Sequence, residues 1–176
     1  MTVTVNSSNI TFSDSSVQLA AAKILSVNQT VLSGTVSIAS SSFVNVTGLS
    51  VTVTPKSSSS TFLIYLHATI STSDNASGTM VSKFFRVTRS GTVVGVGDAR
   101  GSATSALANS TTTYNANYPQ TQGAHFKDSP ATASSITYQV QAATEGARAS
   151  VVGGSYNSGN YYNSSVITTL TVLEIG

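Results

Sequence analysis

Residues 49–70 read LSVTVTPKSSSSTFLIYLHATI, two kinds of strand with a turn between them. In the first, Leu49, Val51 and Val53 alternate with Ser50, Thr52 and Thr54. That period of two sends successive side chains to opposite faces of a sheet. Pro55 and the Ser57–Ser60 run then break the ladder, which predicts a turn. In the second, Phe62 to Ile70 is apolar on both phases, with Leu63 and Tyr65 set against Ile64 and Leu66. This is the pattern of a strand packed on both of its faces.

Outward from this pair the same signals recur. Val81 to Arg89 places Lys83, Phe85 and Val87 on one side, Ser90-Gly91 is a tight-turn signal, and Thr92 to Val96 returns as the second arm of a hairpin. Ile136, Tyr138, Val140 and Ala142 alternate with Thr137, Gln139 and Gln141, and Val166 to Ile175 forms a closing strand. Residues 98–120 have little periodicity and read as a long loop or a weak strand. No 20–50-residue repeat is present, which argues against a solenoid or propeller. The expectation is an all-β antiparallel sandwich or jelly roll over residues 23–176.

Residues 1–22 are different. Val3, Val5, Ile10 and Phe12 are separated by polar residues, and Gln18 to Lys23 is the only run of good helix formers, too short for a stable helix by itself. The stretch reads as a docking arm of short extended pieces that need another surface, with those four apolar residues as its contacts.

Composition points the same way. The chain has 176 residues, enough for one domain with a real core. Charged residues are 8% of it, against roughly 25% in typical soluble domains. Ser and Thr, about a third of the residues, supply the polarity, and β-branched Val and Thr suit pleated strands. With no cysteine, disulfides and thiolate metal sites are excluded. The net charge of +2 comes from scattered bases, which is no argument for nucleic acid. No apolar run approaches the roughly 20 residues of a membrane span, and Met1-Thr2-Val3-Thr4-Val5 lacks the pattern of a secretory leader.

The catalytic inventory is thin. There are two histidines, His67 and His125, and six acids: Asp14, Asp74, Asp98, Asp128, Glu145 and Glu174. His67 lies in the most apolar strand, where a structural histidine is expected. His125, Asp128 and Ser129 are close in sequence, but a serine triad usually draws its groups from distant segments, and no Gly-x-Ser-x-Gly elbow exists. The acids form no cluster of the kind glycoside hydrolysis requires, and the spacing of Gly95, Gly97 and Gly101 is not a dinucleotide fingerprint. No loop has EF-hand spacing. The expectation is a non-enzymatic chain with no cofactor and no metal.

Ser155-Tyr156-Asn157-Ser158-Gly159-Asn160-Tyr161-Tyr162-Asn163 is the most suggestive surface feature. Tyr, Ser, Gly and Asn are favoured in recognition loops because tyrosine offers contact area at low entropic cost. Tyr156, Asn160, Tyr161 and Tyr162, with Tyr114 and Tyr118 in the other long loop, are candidates for surface recognition or subunit contact.

The order of several pieces resembles a domain of tailed-bacteriophage virion proteins, especially fibres and related appendages. These pieces are Ala22-Lys23-Ile24-Leu25-Ser26-Val27, the Thr47-Gly48-Leu49-Ser50-Val51-Thr52-Val53-Thr54-Pro55 run, Phe84-Phe85-Arg86-Val87-Thr88-Arg89, Asp128-Ser129-Pro130-Ala131-Thr132 leading to Thr137-Tyr138-Gln139-Val140, and Ile167 to Ile175. Upstream, Ile10 to Gln18 is similar to a lead-in of fibre and spike chains. The resemblance implies a homotrimeric jelly roll of tumour-necrosis-factor type on the virion exterior. Its arm would contact other virion proteins and its loops a host surface glycan or protein, with no nucleic-acid partner and no membrane insertion. Only about 22 residues precede the first clear strand, whereas fibre chains usually carry a long shaft. Two roles therefore stand side by side, a fibre or attachment component and a capsid decoration (cement) protein. A polysaccharide-cleaving tail enzyme is a third.

Overall fold

The computed structural model describes residues 23–72, 80–112, 118–156 and 164–176, and the backbone of 4–5, 9–11 and 17–19. The strands are β1 (Thr4–Val5), β2 (Asn9–Thr11), β3 (Val17–Leu19), β4 (Ile24–Leu32), β5 (Val36–Ile38), β6 (Val44–Val53), β7 (Thr61–Thr72), β8 (Val81–Arg89), β9 (Thr92–Val94), β10 (Ala108–Thr112), β11 (Gln120–Asp128), β12 (Ile136–Thr144), β13 (Ser150–Val152) and β14 (Thr168–Ile175). All the pairings between them are antiparallel.

Two sheets face each other as a β-sandwich. In the first, β4-β14-β7-β11 runs edge to edge, and the far half of β7 pairs with β13, which in turn pairs with β5. In the second the order is β6-β12-β8, with β9 and β10 sharing the remaining edge of β8. Phe62, Ile64, Leu66, Ile70, Leu170 and Val172 from the first sheet meet Leu49, Val51, Phe85, Val87, Tyr138 and Val140 from the second in one buried cluster. Each set is one phase of an alternating strand, so the periodicity of the sequence maps directly onto the core.

The predicted hairpin is present, with Arg89 opposite Thr92 and Val87 opposite Val94. Ser90 and Gly91 have φ of 47° and 89°, the paired positive values of a type I′ turn, whose twist matches that of the strands. The Ser57–Ser60 turn closes through a hydrogen bond from the Ser60 amide to the Ser57 carbonyl.

Three regions read only loosely from the sequence take definite form. The run of helix formers begins as strand, because Gln18 and Leu19 belong to β3, paired with β2. The arm's extended pieces therefore find partners in one another, Val5 opposite Ile10 and Ile10 opposite Gln18. Residues 98–120 contain a strand, β10, and Gln120 opens β11. Finally, Phe62 to Ile70 sends one phase into the core while Tyr65 and His67 on the other phase are exposed and Leu63 is half-buried.

Candidate functional site

Register gives the sandwich a polarity. The strand ends flanking residues 73–79 and 113–117 lie at one end: Thr112 is opposite Val81, and Gln120 is opposite Ile70. The strands flanking residues 157–163 lie in the same half of the body but at the side of β7, β13 with Val152 opposite Ile70 and β14 with Thr169 opposite His67. At the other end, Ile175 pairs with Ile24 and Thr61, and the Lys23 and Gly176 backbones exchange hydrogen bonds of 3.2 and 3.1 Å. The arm thus joins the body at the end opposite the loops. The 12-residue β7 spans the distance, about 36 Å at roughly 3 Å per strand residue.

The arm end is fixed by two carboxylates. Asp128 accepts hydrogen bonds from Arg89 Nη1 at 2.7 and 2.8 Å and from the Tyr138 hydroxyl at 2.7 Å, which ties β11 to β8 and β12 across the two sheets. Burial and the Asp128 carboxylate push the Tyr138 phenol well above its ordinary range. Glu174 is buried and accepts from the Lys56 amide at 2.5 Å and from Ser26 Oγ at 3.1 Å. Burial acts to raise its pKa, but the Lys56 amide, the Ser60 and Ser26 hydroxyls and the Lys56 charge outweigh it, and the carboxyl is held below its usual value.

At the loop end the interior is hydroxylic. Thr69, Ser71, Thr72, Ser110, Thr144, Ser150 and Thr168 are all buried, together with Lys83. Thr72 and Ser150 share a hydrogen bond of 3.1 Å, Ser71 donates to the Gly154 carbonyl at 2.9 Å, and Thr144 donates to that of Arg148 at 2.8 Å. Burial lowers the Lys83 pKa to about 8. Gly153 (φ 94°) crosses Gly34 so closely that a Cβ would sit 2.5 Å from the Gly34 oxygen, so this crossing requires glycine.

The outer face of the first sheet carries a broad apolar surface. Cross-strand register lines up Val27, Leu173 and Leu63 in one row, with Lys127 at its end. The next row is Gln29, Thr171, Tyr65 and His125, and the third is Val31, Thr169, His67 and Gly123. Ile24, Val27, Val31 and Tyr65 are 61, 62, 50 and 42% exposed, with half-buried Leu63 and Leu173 between Val27 and the far strand. The outer face of the second sheet is a mesh of amides and hydroxyls. Thr52 and Thr137 share a 2.8 Å hydrogen bond, Arg86 Nε donates to Gln141 at 2.7 Å, and Gln141 donates to Asn45 at 2.8 Å.

The residues singled out in the sequence are dispersed by this architecture. Tyr156 is exposed and Tyr118 half-buried, both beside the loop end, while Tyr114, Asn160, Tyr161 and Tyr162 lie outside the described residues. Of the arm residues, Val5 and Ile10 are strand partners, and Val3 and Phe12 lie outside the described residues. His125 stacks on Tyr65, with ring centroids 5.6 Å apart, on the outer face, and Asp128 is engaged by Arg89 and Tyr138. His67 faces the same outer surface, its Nδ1 3.0 Å from the Ile167 carbonyl. Of the remaining acids, Asp98 and Glu145 are exposed, and Asp14 and Asp74 lie outside the described residues. Among the described residues no three His, Cys, Asp or Glu side chains form a group that could hold a metal, and no helix is long and apolar enough to cross a membrane. The apolar outer face was signalled by the two-phase pattern of Phe62 to Ile70. The contributions of Ile24, Val27 and Val31 become visible only once β4 is placed beside β14.

Compared with protein-family models and with curated protein sequences, the chain matches none. What stands is the class: an all-β chain of two antiparallel sheets packed as a sandwich.

Proposed function

We propose that this chain is a non-enzymatic bacteriophage virion protein, displayed on the particle as a homotrimer, that docks by its arm and meets the host surface with its opposite end. The observation that carries the reading is the polarity of the body: the arm enters at one end of β7, the Tyr118 segment lies at the other, and the Tyr156 segment leaves the side of the sheet in that same half. An attachment component needs that separation between anchor and tip.

Two further observations support it. The chain crosses from sheet to sheet in the order β4, β6, β7, β8-β10, β11, β12, β14, giving β4-β14-β7-β11 against β6-β12-β8-β10, an order that supports reading the sandwich as a jelly roll. The apolar outer face of the first sheet supplies a surface of the kind that homo-oligomers bury. Three copies packed through Val27, Leu63, Tyr65 and Leu173 would cover it.

The test uses particles. Tyr156→Ala combined with Tyr161→Ala and Tyr162→Ala is expected to reduce adsorption at least tenfold while the particle keeps its full complement of this chain. Removing residues 1–22 is expected to release the chain from particles on sedimentation. Unchanged adsorption with the tyrosines gone, together with lower heat tolerance of heads lacking the chain, would instead favour the cement role.

A further inference from the structure

Phe84 is the aromatic that β8 turns outward, at the loop-bearing end of the otherwise amide- and hydroxyl-rich second face. It lines a half-open cavity of about 290 Å³ together with Ser41, Ser82, Thr104, Thr144, Glu145 and Gly146. Three separate segments converge there: the approach to β6, the loop before β10, and the turn after β12. That turn is built from two consecutive left-handed residues, Gly146 (φ 64°) and Ala147 (φ 54°), and it brings Glu145 back over the start of β8. The Ser82 amide donates to Glu145 Oε2 at 3.1 Å, which fixes the carboxylate and leaves Oε1 as an acceptor.

We propose that this cavity binds a neutral hexose unit, a sugar ring bearing neither carboxylate nor phosphate. The proposal deepens the attachment reading and rests on it for its biological setting. The chemistry is complementary on each side. A pyranose has an apolar C–H face, which the Phe84 ring accepts as a platform, and a rim of hydroxyls that both donate and accept. Ser41 and Thr104 can do either, Ser82 shares its hydroxyl with Thr111 at 3.3 Å and keeps acceptor capacity, and Glu145 can only accept, giving charge-assisted bonds to sugar hydroxyls. The volume is at the small end of ligand cavities, suited to one ring rather than a long chain. The carboxylate also sets the selectivity: a uronate or phosphorylated sugar would place like charges together as water is displaced, a built-in rejection.

Saturation-transfer NMR on the full chain tests this, with methyl β-galactoside, methyl α-glucoside and N-acetylglucosamine as probes and glucuronate as the anionic control. At least one neutral sugar is expected to show saturation at millimolar concentration, and glucuronate none. Phe84→Ala is expected to weaken binding at least tenfold. The exposed pair Ser41→Leu and Thr104→Leu, which fills the cavity from its walls without touching the core, should do the same should Phe84→Ala perturb folding. Glu145→Gln is expected to weaken the neutral sugar several-fold and to raise glucuronate to a comparable level, a change that lost packing alone would not produce. Absence of saturation from all three neutral sugars, or full binding by both cavity variants, overturns the proposal. Sugar binding with adsorption unaffected by Phe84→Ala upholds the site and counts against the attachment role. Adsorption that depends on the tyrosines, with no sugar bound by the purified chain, overturns the site and leaves that role in place.

Discussion

The two outer faces of this sandwich share one core yet are built from opposite materials. Behind Phe62, Ile64 and Leu66, β7 shows solvent Leu63 and Tyr65, flanked by Val27 and Leu173. Behind Tyr138 and Val140, β12 shows Thr137, Gln139 and Gln141, each hydrogen-bonded to a neighbouring strand or to its own backbone. Gln139 alone donates toward the carbonyls of Val46, Leu49 and Val140, at 3.0, 3.2 and 2.8 Å. A polar face completes its hydrogen bonds within the chain and in water. An apolar face is completed only where another surface covers it. The contrast teaches that one side of the sheet pair completes its polar bonds by folding, while the other leaves apolar side chains exposed among the described residues.

The sharpest way to break the contrast is to charge each face in turn. Leu63→Asp with Leu173→Asp is expected to convert the proposed homotrimer to monomer, a threefold fall in mass by light scattering. The matched pair Thr52→Asp and Thr137→Asp should leave the mass unchanged. Equal masses for both pairs, or a wild-type monomer, would remove the distinction between the faces.

A smaller effect tests whether the faces belong to one cooperative unit. Tyr138→Phe deletes the hydroxyl that joins the second sheet to Asp128 of the first, while Arg89 still pairs that carboxylate. The expected cost is about 1–2 kcal/mol in denaturant unfolding, still as a single transition. Two transitions would mean that the sheets melt separately.

Each sheet also has its own response to pH. Glu174 in the first sheet has a depressed folded pKa, so its stabilisation is present above the ordinary carboxylate value near 4.3 and is lost as pH falls through the lower folded value. Lys83 in the second sheet has a folded pKa of about 8, below the ordinary 10.5, so the unfolded chain binds more protons between those values and stability rises with pH across that window. Melting temperatures are expected to show both slopes. Glu174→Gln should flatten only the acid limb and Lys83→Met only the alkaline one. The least effect belongs to the polar mesh: Thr52→Ala with Thr137→Ala, an exposed hydroxyl pair, should change stability by less than about 0.5 kcal/mol.

The strands that were legible in the sequence are those with an alternating buried phase. β6, β8, β12 and β14 each carry it, and the Ser90-Gly91 turn announced its own hairpin. β11 was not legible, because Gln120, Gln122, Ala124, Phe126 and Asp128 on its inner phase are only half-buried and Gly123 sits mid-strand. It is held by nine residues of backbone pairing to β7, a property of its neighbour rather than of its own side chains. β5 and β13, three residues each, are likewise defined by where β7 runs. The cavity at Phe84 was beyond sequence reading because Ser41, Thr104 and Glu145 come from separate segments, and only the register of β8 and β12 brings them to one rim. The tyrosine-rich segments drew attention by composition alone. Register adds that the segments bearing Tyr118 and Tyr156 lie in the same half of the body, one at the strand ends and the other beside β7.

The position of β4 has a mechanical meaning. The arm continues into β4, and β4 is held to β14 by eight registered pairs from Ile24 to Leu32. A pull between a tethered arm and a gripped far end runs along β4, perpendicular to its hydrogen bonds. The bonds are then loaded in shear, all sharing the force at once, and do not open one after another like a zipper. A chain anchored this way would resist extension far better than one pulled across the same strands, and the first structure to yield under tension would be the small β1-β2-β3 sheet of the arm rather than the sandwich.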